Sequence, residues 1–124
     1  MQIKESAENY LEQILIINNK KGYCRSIDIC NEMGFSKPSV SVYMKNLRED
    51  GYISVDDSGN ITLTEKGKEI ADKIYDRHNV IACFLMQLGT SEETAYKDSC
   101  KIEHDISEES FLLIKEQYLK NLNI

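Results

Sequence analysis

Apolar stripes at helical spacing and helix-start signals for six segments, broken once by two short alternating runs around a polar turn, predict a mostly α chain of 124 residues. The order of the elements is the second observation: three helices, the alternating runs, then three more helices. The third is the short interval Gly34-Phe35-Ser36 between the second and third helices, which fits the tight turn of a helix-turn-helix. Together they predict an N-terminal winged helix-turn-helix over residues 1–64, followed by a helical domain over 65–124.

The first helix is expected from about Glu5 to Lys20. Ala7, Tyr10, Leu11, Ile14 and Ile17 form its stripe, and Gly22 ends it with Lys20 and Lys21 suited to the C-terminal dipole. Ser26 is expected to cap a short second helix running through Met33, with Ile27 and Cys30 inward and Gly34 as its stop. Ser36-Lys37-Pro38-Ser39 opens a third helix that carries Val40, Tyr43, Met44 and Leu47 inward as far as Gly51. Tyr52–Val55 and Ile61–Leu63 flank Asp56-Asp57-Ser58-Gly59-Asn60 and read as a β-hairpin. Thr64-Glu65 caps a long fourth helix reaching about Leu88 and closed by Gly89. Its inward positions include Ile70, Ile74, Ile81, Phe84, Leu85 and Leu88. Ser91-Glu92-Glu93 starts a fifth helix running through His104. Ser107-Glu108-Glu109 starts a sixth, with Phe111, Ile114, Tyr118 and Leu122 on one face.

Composition narrows the function classes. A hydrophobic share of 41% with 29% charged residues belongs to a soluble globular chain. No apolar run approaches a membrane span, and MQIKESAENY lacks the apolar core of a signal peptide. Cys24, Cys30, Cys83 and Cys100 include no CxxC pair, which argues against a zinc knuckle and points to a reducing cytoplasm. The net charge of −6 is awkward for phosphate binding. The deficit is smaller in the first half, with seven basic against nine acidic residues through Thr64 and eight against twelve beyond it.

In a winged helix-turn-helix the third helix enters the DNA major groove. Ser36, Lys37, Pro38, Ser39, Ser41 and Lys45 lie at or near the start of that helix and off its apolar stripe, where phosphates and base edges are reached. Arg25 and Arg48 add candidate backbone contacts. The hairpin turn carries two aspartates and no base, so it is expected to repel phosphate. Affinity then rests on the third helix and on the symmetry of a dimer.

In YKDSCKIEHDIS (Tyr96–Ser107), a helical Cys100, Glu103 and His104 stand at i, i+3 and i+4. That spacing gathers a thiol, a carboxylate and an imidazole on one face, and all three are ligands for divalent transition metals. Taken singly the candidates have blander readings. Cys100 alone is a small buried apolar residue, Glu103-His104 a solvated helix end, His78 a surface histidine, and Glu8 with Glu12 an exposed acidic ridge.

The combination SAENYLEQI, the run from Gly34-Phe35-Ser36-Lys37-Pro38-Ser39-Val40-Ser41 through Leu47 to Gly51-Tyr52-Ile53, LTEKGKEIA, RHNVI and CKIEHDIS resembles the metal-dependent repressors. These are the family of the diphtheria toxin repressor and the manganese transport regulator. The resemblance covers nearly the whole chain in order. It implies a cytoplasmic homodimer whose helical second domain dimerises and binds metal, and which represses metal-uptake genes on a palindromic double-stranded operator. The shorter architecture without an SH3-like domain is expected.

The resemblance also implies a ligand set of Asn9 and Glu12 on the first helix, His78 on the fourth, and Cys100, Glu103 and His104 on the fifth. Asn9 stands where manganese regulators place an aspartate and the diphtheria-type repressor a methionine. Cys100 matches the diphtheria type where manganese regulators have a glutamate. A thiolate is softer than a carboxylate and moves preference toward Fe2+, Co2+ or Zn2+. Fe2+ or Mn2+ is the expected corepressor, with Co2+ or Zn2+ as further ions the set accepts. The diphtheria-type ancillary site is not expected, since Ala82 and Tyr96 hold its other positions. Two rivals stand beside this reading. One is a metal-free winged-helix regulator sensing redox state through its thiols. The other is an enzyme pairing Cys100 with His104, for which no oxyanion-hole or pocket signal is present.

Overall fold

A computed structural model describes residues 5–123. In chain order it places α1 (Glu5–Lys21), α2 (Ser26–Met33), α3 (Lys37–Glu49), β1 (Ile53–Val55), β2 (Ile61–Leu63), α4 (Glu65–Gln87), α5 (Glu92–Ile102) and α6 (Glu108–Leu122). The chain divides into two compact units, Met1–Asp72 and Lys73–Ile124, with the division inside α4.

In the first unit α1 packs on α2 and β2, α2 on α3, and α3 on β1. Tyr10, Leu11, Ile14, Ile17, Ile29, Val40, Leu47, Ile53 and Ile61 form its buried interior. Each fully buried Leu or Ile contributes about 1.5–3 kcal/mol. The turn between α2 and α3 depends on Gly34, whose left-handed backbone (φ 72) lets its N–H donate to the Cys30 carbonyl. Ser36 then caps α3, its hydroxyl accepting from the Ser39 N–H at 3.3 Å. β1 and β2 pair antiparallel, with Ile53 opposite Leu63 and Val55 opposite Ile61. The Asp56 carboxylate accepts from the Ser58 and Asn60 N–H groups and so shapes the turn. Thr64 caps α4 by accepting from the Gly67 N–H. Gly67 lies so close to the Tyr52 carbonyl that a Cβ would collide with it.

The second unit gathers Val80, Ile81 and Phe111, with Leu85, Ile102, Ile106, Ile114 and Tyr118 packed around them. Ser91 and Ser107 cap α5 and α6 by accepting from Thr94 and Ser110. Among the described residues no helix is long and apolar enough to cross a membrane.

Several local expectations are corrected. Arg25, not Ser26, is the N-cap of α2. Asp28 accepts from the Arg25 N–H at 2.9 Å and receives Lys21 Nζ at 2.9 Å, which draws Arg25 into the capping position. Ile27 is 44% exposed, and Ile29 takes the inward place beside Cys30. Leu88 and Leu122 also point outward. α5 ends at Ile102, so His104 lies in the turn beyond it.

Candidate metal centre and nucleic-acid interface

The second unit brings its four expected ligands together. His78 comes from α4. Glu103 is the C-cap of α5, still in helical backbone (φ −57, ψ −28), with its N–H bonded to the Ser99 carbonyl. Its carboxylate is a hub: Oε2 stands 2.8 Å from His78 Nδ1, and Oε1 stands 3.2 Å from His104 Nε2. Cys100 Sγ lies 3.8 Å from the same His78 nitrogen. The end of α5 two residues earlier than expected therefore does not remove His104 from the cluster.

Burial distinguishes these groups. Glu103 is 1% exposed, a position where a carboxylate must have partners. The His104 side chain is equally covered, and that of His78 is 15% exposed. Cys100 is exposed, which corrects its reading as a small buried apolar residue. Ser99 is fully buried and donates to the His78 carbonyl at 2.5 Å, which fixes α5 against α4 beside the candidate ligands. The Tyr96 ring tilts against the His78 ring at 5.3 Å between centroids. His78, Glu92, Glu93, Tyr96, Lys97 and Cys100 line an open basin of ≈ 640 Å³ on this side of the unit.

The donor chemistry fits a divalent transition ion. Nitrogen and oxygen ligands about 2.1 Å from one ion stand about 3.0–3.5 Å from each other. The 2.8 and 3.2 Å separations around Glu103 lie within a few tenths of that range. Two imidazoles, a carboxylate and a thiol suit Fe2+, Mn2+, Co2+ or Zn2+ far better than a hard, all-oxygen ion.

On α1 in the first unit, Glu12 is buried at 4% exposure, which corrects its reading as part of an exposed ridge. Asn9 and Glu8, on the same helix, are half-buried.

Every residue expected to face DNA is exposed: Arg25, Ser36, Lys37, Pro38, Ser39, Ser41, Lys45 and Arg48. Ser41, Lys45 and Arg48 line a groove of ≈ 170 Å³ with Ser26, Met44 and Val55. The sequence reading missed Val42, which is 61% exposed on α3 between Ser41 and Tyr43. Its place off the Val40–Met44–Leu47 stripe was the available signal, and an exposed methyl pair there suits a thymine methyl group. The hairpin turn offers no base, and its Asp56 carboxylate is committed to the turn itself.

A winged helix in the first unit and a His/Glu/His/Cys donor set centred on buried Glu103 in the second point to a DNA-binding regulator that responds to a metal ion. Comparison with known proteins carries this further. Residues 2–60 match the family description "Iron dependent repressor, N-terminal DNA binding domain", and residues 64–121 match "Iron dependent repressor, metal binding and dimerisation domain". The HTH-type transcriptional regulator MntR of Geobacillus kaustophilus is 36% identical over 102 residues, which span 82% of this chain and 72% of that one. An uncharacterized HTH-type transcriptional regulator of Methanocaldococcus jannaschii is 37% identical over 109 residues, covering 86% and 87%. The solved structure of the manganese regulator SloR superposes with a TM-score of 0.73 at 27% identity, covering 99% of this chain. The chain spans about half the length of that structure, 55%.

The chain belongs to the iron-dependent repressor family. It is a metal-dependent transcriptional repressor with a dimerising second half, and not an enzyme. The comparisons carry the metal reading and lend nothing to the thiol-sensing alternative.

Proposed function

We propose that this repressor takes Fe2+ or Mn2+ as corepressor at His78, Cys100, Glu103 and His104, and then represses metal-uptake genes. The observation that carries the reading is the Glu103 carboxylate shared between His78 and His104, with Cys100 beside them. The resemblance in sequence adds Asn9 and Glu12 of α1 to the ligand set. A solved relative named as a manganese regulator supports Mn2+, and the family's own description supports iron. The Cys100 thiol tilts the balance toward iron, since thiolates favour softer ions.

In this reading the bound ion restrains the reading helices of a dimer. DNA half-sites demand a set spacing, so that restraint raises affinity by shifting population toward the binding-competent form. Arg25, Ser36, Lys37, Pro38, Ser39, Ser41, Lys45 and Arg48 meet a palindromic operator in this reading. Leu112, Leu119 and Leu122, exposed along one side of α6, meet the second copy. The protein acts in the cytoplasm, where its four free cysteines stay reduced.

DNA binding by the purified chain tests this, with chelator and after return of Mn2+, Fe2+, Co2+ or Zn2+. Tighter binding with Fe2+ or Mn2+ is the expected outcome. Equal affinity under all conditions sinks the corepressor reading.

A further inference from the structure

Among the described residues Arg77 is the one arginine or lysine of the second unit that is buried, at 8% exposure. Nothing in the proposed ligand set or the DNA face uses it. A buried guanidinium is costly unless its donors are met. Here Nη1 donates to the carbonyls of Glu103 at 3.2 Å and Ile106 at 3.0 Å. Nη2 donates to Glu108 Oε2 at 2.6 Å, and the Phe111 ring lies 5.2 Å from the guanidinium carbon. Lys73 adds a weaker pairing to the same Glu108 oxygen at 3.5 Å.

These bonds converge on one short piece of chain. Residues 103–106 form the turn after α5, where the final carbonyls of a helix lack partners within it. That turn carries Glu103 and His104. Arg77 holds both of its ends while standing next to His78 on α4, so a single helix supplies one ligand and fixes the backbone of two others. Glu108 orients the guanidinium from the start of α6, and the bond from Arg77 holds the Glu108 carboxyl below the usual carboxylate range.

We infer that Arg77, anchored by Glu108, is a positioning residue that sets the spacing between His78 and the Glu103–His104 turn and thereby the affinity for the corepressor ion. The inference rests on the metal-site reading above. Groups that orient ligands without touching the ion typically change metal affinity about 10–100-fold when removed. Lysine in place of Arg77 keeps the charge but lacks the planar fork that reaches two carbonyls and a carboxylate together.

The test measures Mn2+ and Fe2+ affinity of the metal-free wild-type chain, Arg77→Lys, Arg77→Met and Glu108→Gln by competition with a fluorescent chelator. The melting temperature of each metal-free protein is recorded alongside. Arg77→Lys is expected to bind both ions about 10–100-fold more weakly, with a metal-free melting temperature close to wild type and full DNA affinity once saturated. Glu108→Gln, which keeps the hydrogen bond without the charge, should lose less and keeps the test open if the Arg77 variants do not fold. Wild-type metal binding with unchanged affinity in Arg77→Lys and Glu108→Gln overturns the positioning role alone. Failure of the wild-type chain to take up either ion overturns the metal-site reading, and this inference with it.

Discussion

The ligand cluster of the second unit and the outer face of α3 use similar polar side chains in opposite ways. Around Glu103 the groups are covered and bonded to one another: carboxylate to two imidazoles, guanidinium to two carbonyls, serine to the His78 carbonyl. On α3 the serines, lysines and Arg48 are exposed, and their bonds are short-range caps such as Ser39 to Ser36. The difference follows from what each surface meets. A small ion gains most from donors already in place, whereas a long polyanion supplies its own partners and is met by side chains left free to adapt. The proposed sensing cluster is preorganised and the proposed reading face is not.

The sharpest way to break that contrast is to remove its hub. Glu103→Ala should weaken Mn2+ and Fe2+ binding by more than about 100-fold, beyond the usual effect of an orienting group, and abolish metal-stimulated DNA binding. Metal-free DNA affinity should stay unchanged, and gel-shift titrations with and without ion read both. Retained stimulation would place the ion elsewhere.

On the reading side, Arg48→Ala should cost about 1–3 kcal/mol of operator affinity if it meets a base, or lower the salt slope by about one if it meets phosphate. Its metal affinity should match wild type. A change in metal affinity instead would show that the two surfaces are not separable.

Thiol labelling sharpens the comparison at smaller scale. Burial pushes the Cys24 thiol up to about 12, so it stays protonated and unlabelled in the folded chain at pH 8. Cys100 is exposed and should label readily, with Mn2+ or Fe2+ slowing the reaction if it is a ligand. Labelling of Cys100 indifferent to both ions removes it from the set.

The smallest expected effect concerns pH. The bond from Lys21, together with that from the Arg25 N–H, holds the Asp28 carboxyl below the usual carboxylate range. A carboxyl lowered on folding stabilises the protein above its unfolded pKa, and this is lost as pH falls through the folded value. Asp28→Asn should therefore lower the melting temperature by a few degrees at pH 7 and by progressively less in acid. A constant difference across that range would deny the ionic part of the bond.

Much of this organisation was legible in the residues. Glycines, capping serines and apolar spacing placed all six helices and both strands, because those signals act within a few residues. Ile27, Leu88 and Leu122 were misjudged at helix ends, where a stripe continues in sequence after the surface it covers has stopped. Ser26 gave way to Arg25 because the capping partner there, Asp28, depends on Lys21 of the preceding helix. Arg77 escaped notice for a related reason. Its partners are mostly backbone carbonyls 26 and 29 positions away, and no spacing rule announces them. The cluster at Cys100, Glu103 and His104 was visible as a pattern, but its center on Glu103 was not.

The basin beside Cys100 bears on time rather than affinity. Its rim of Glu92, Glu93, Lys97 and Cys100 is exposed, so one edge of the donor set faces water directly. An ion released there can diffuse away without waiting for α4 and α5 to separate. Departure from the proposed set would then be governed by ligand exchange and not by local unfolding, which is slower. A repressor built on the proposed set would follow the current supply of its ion and keep little record of a past surplus.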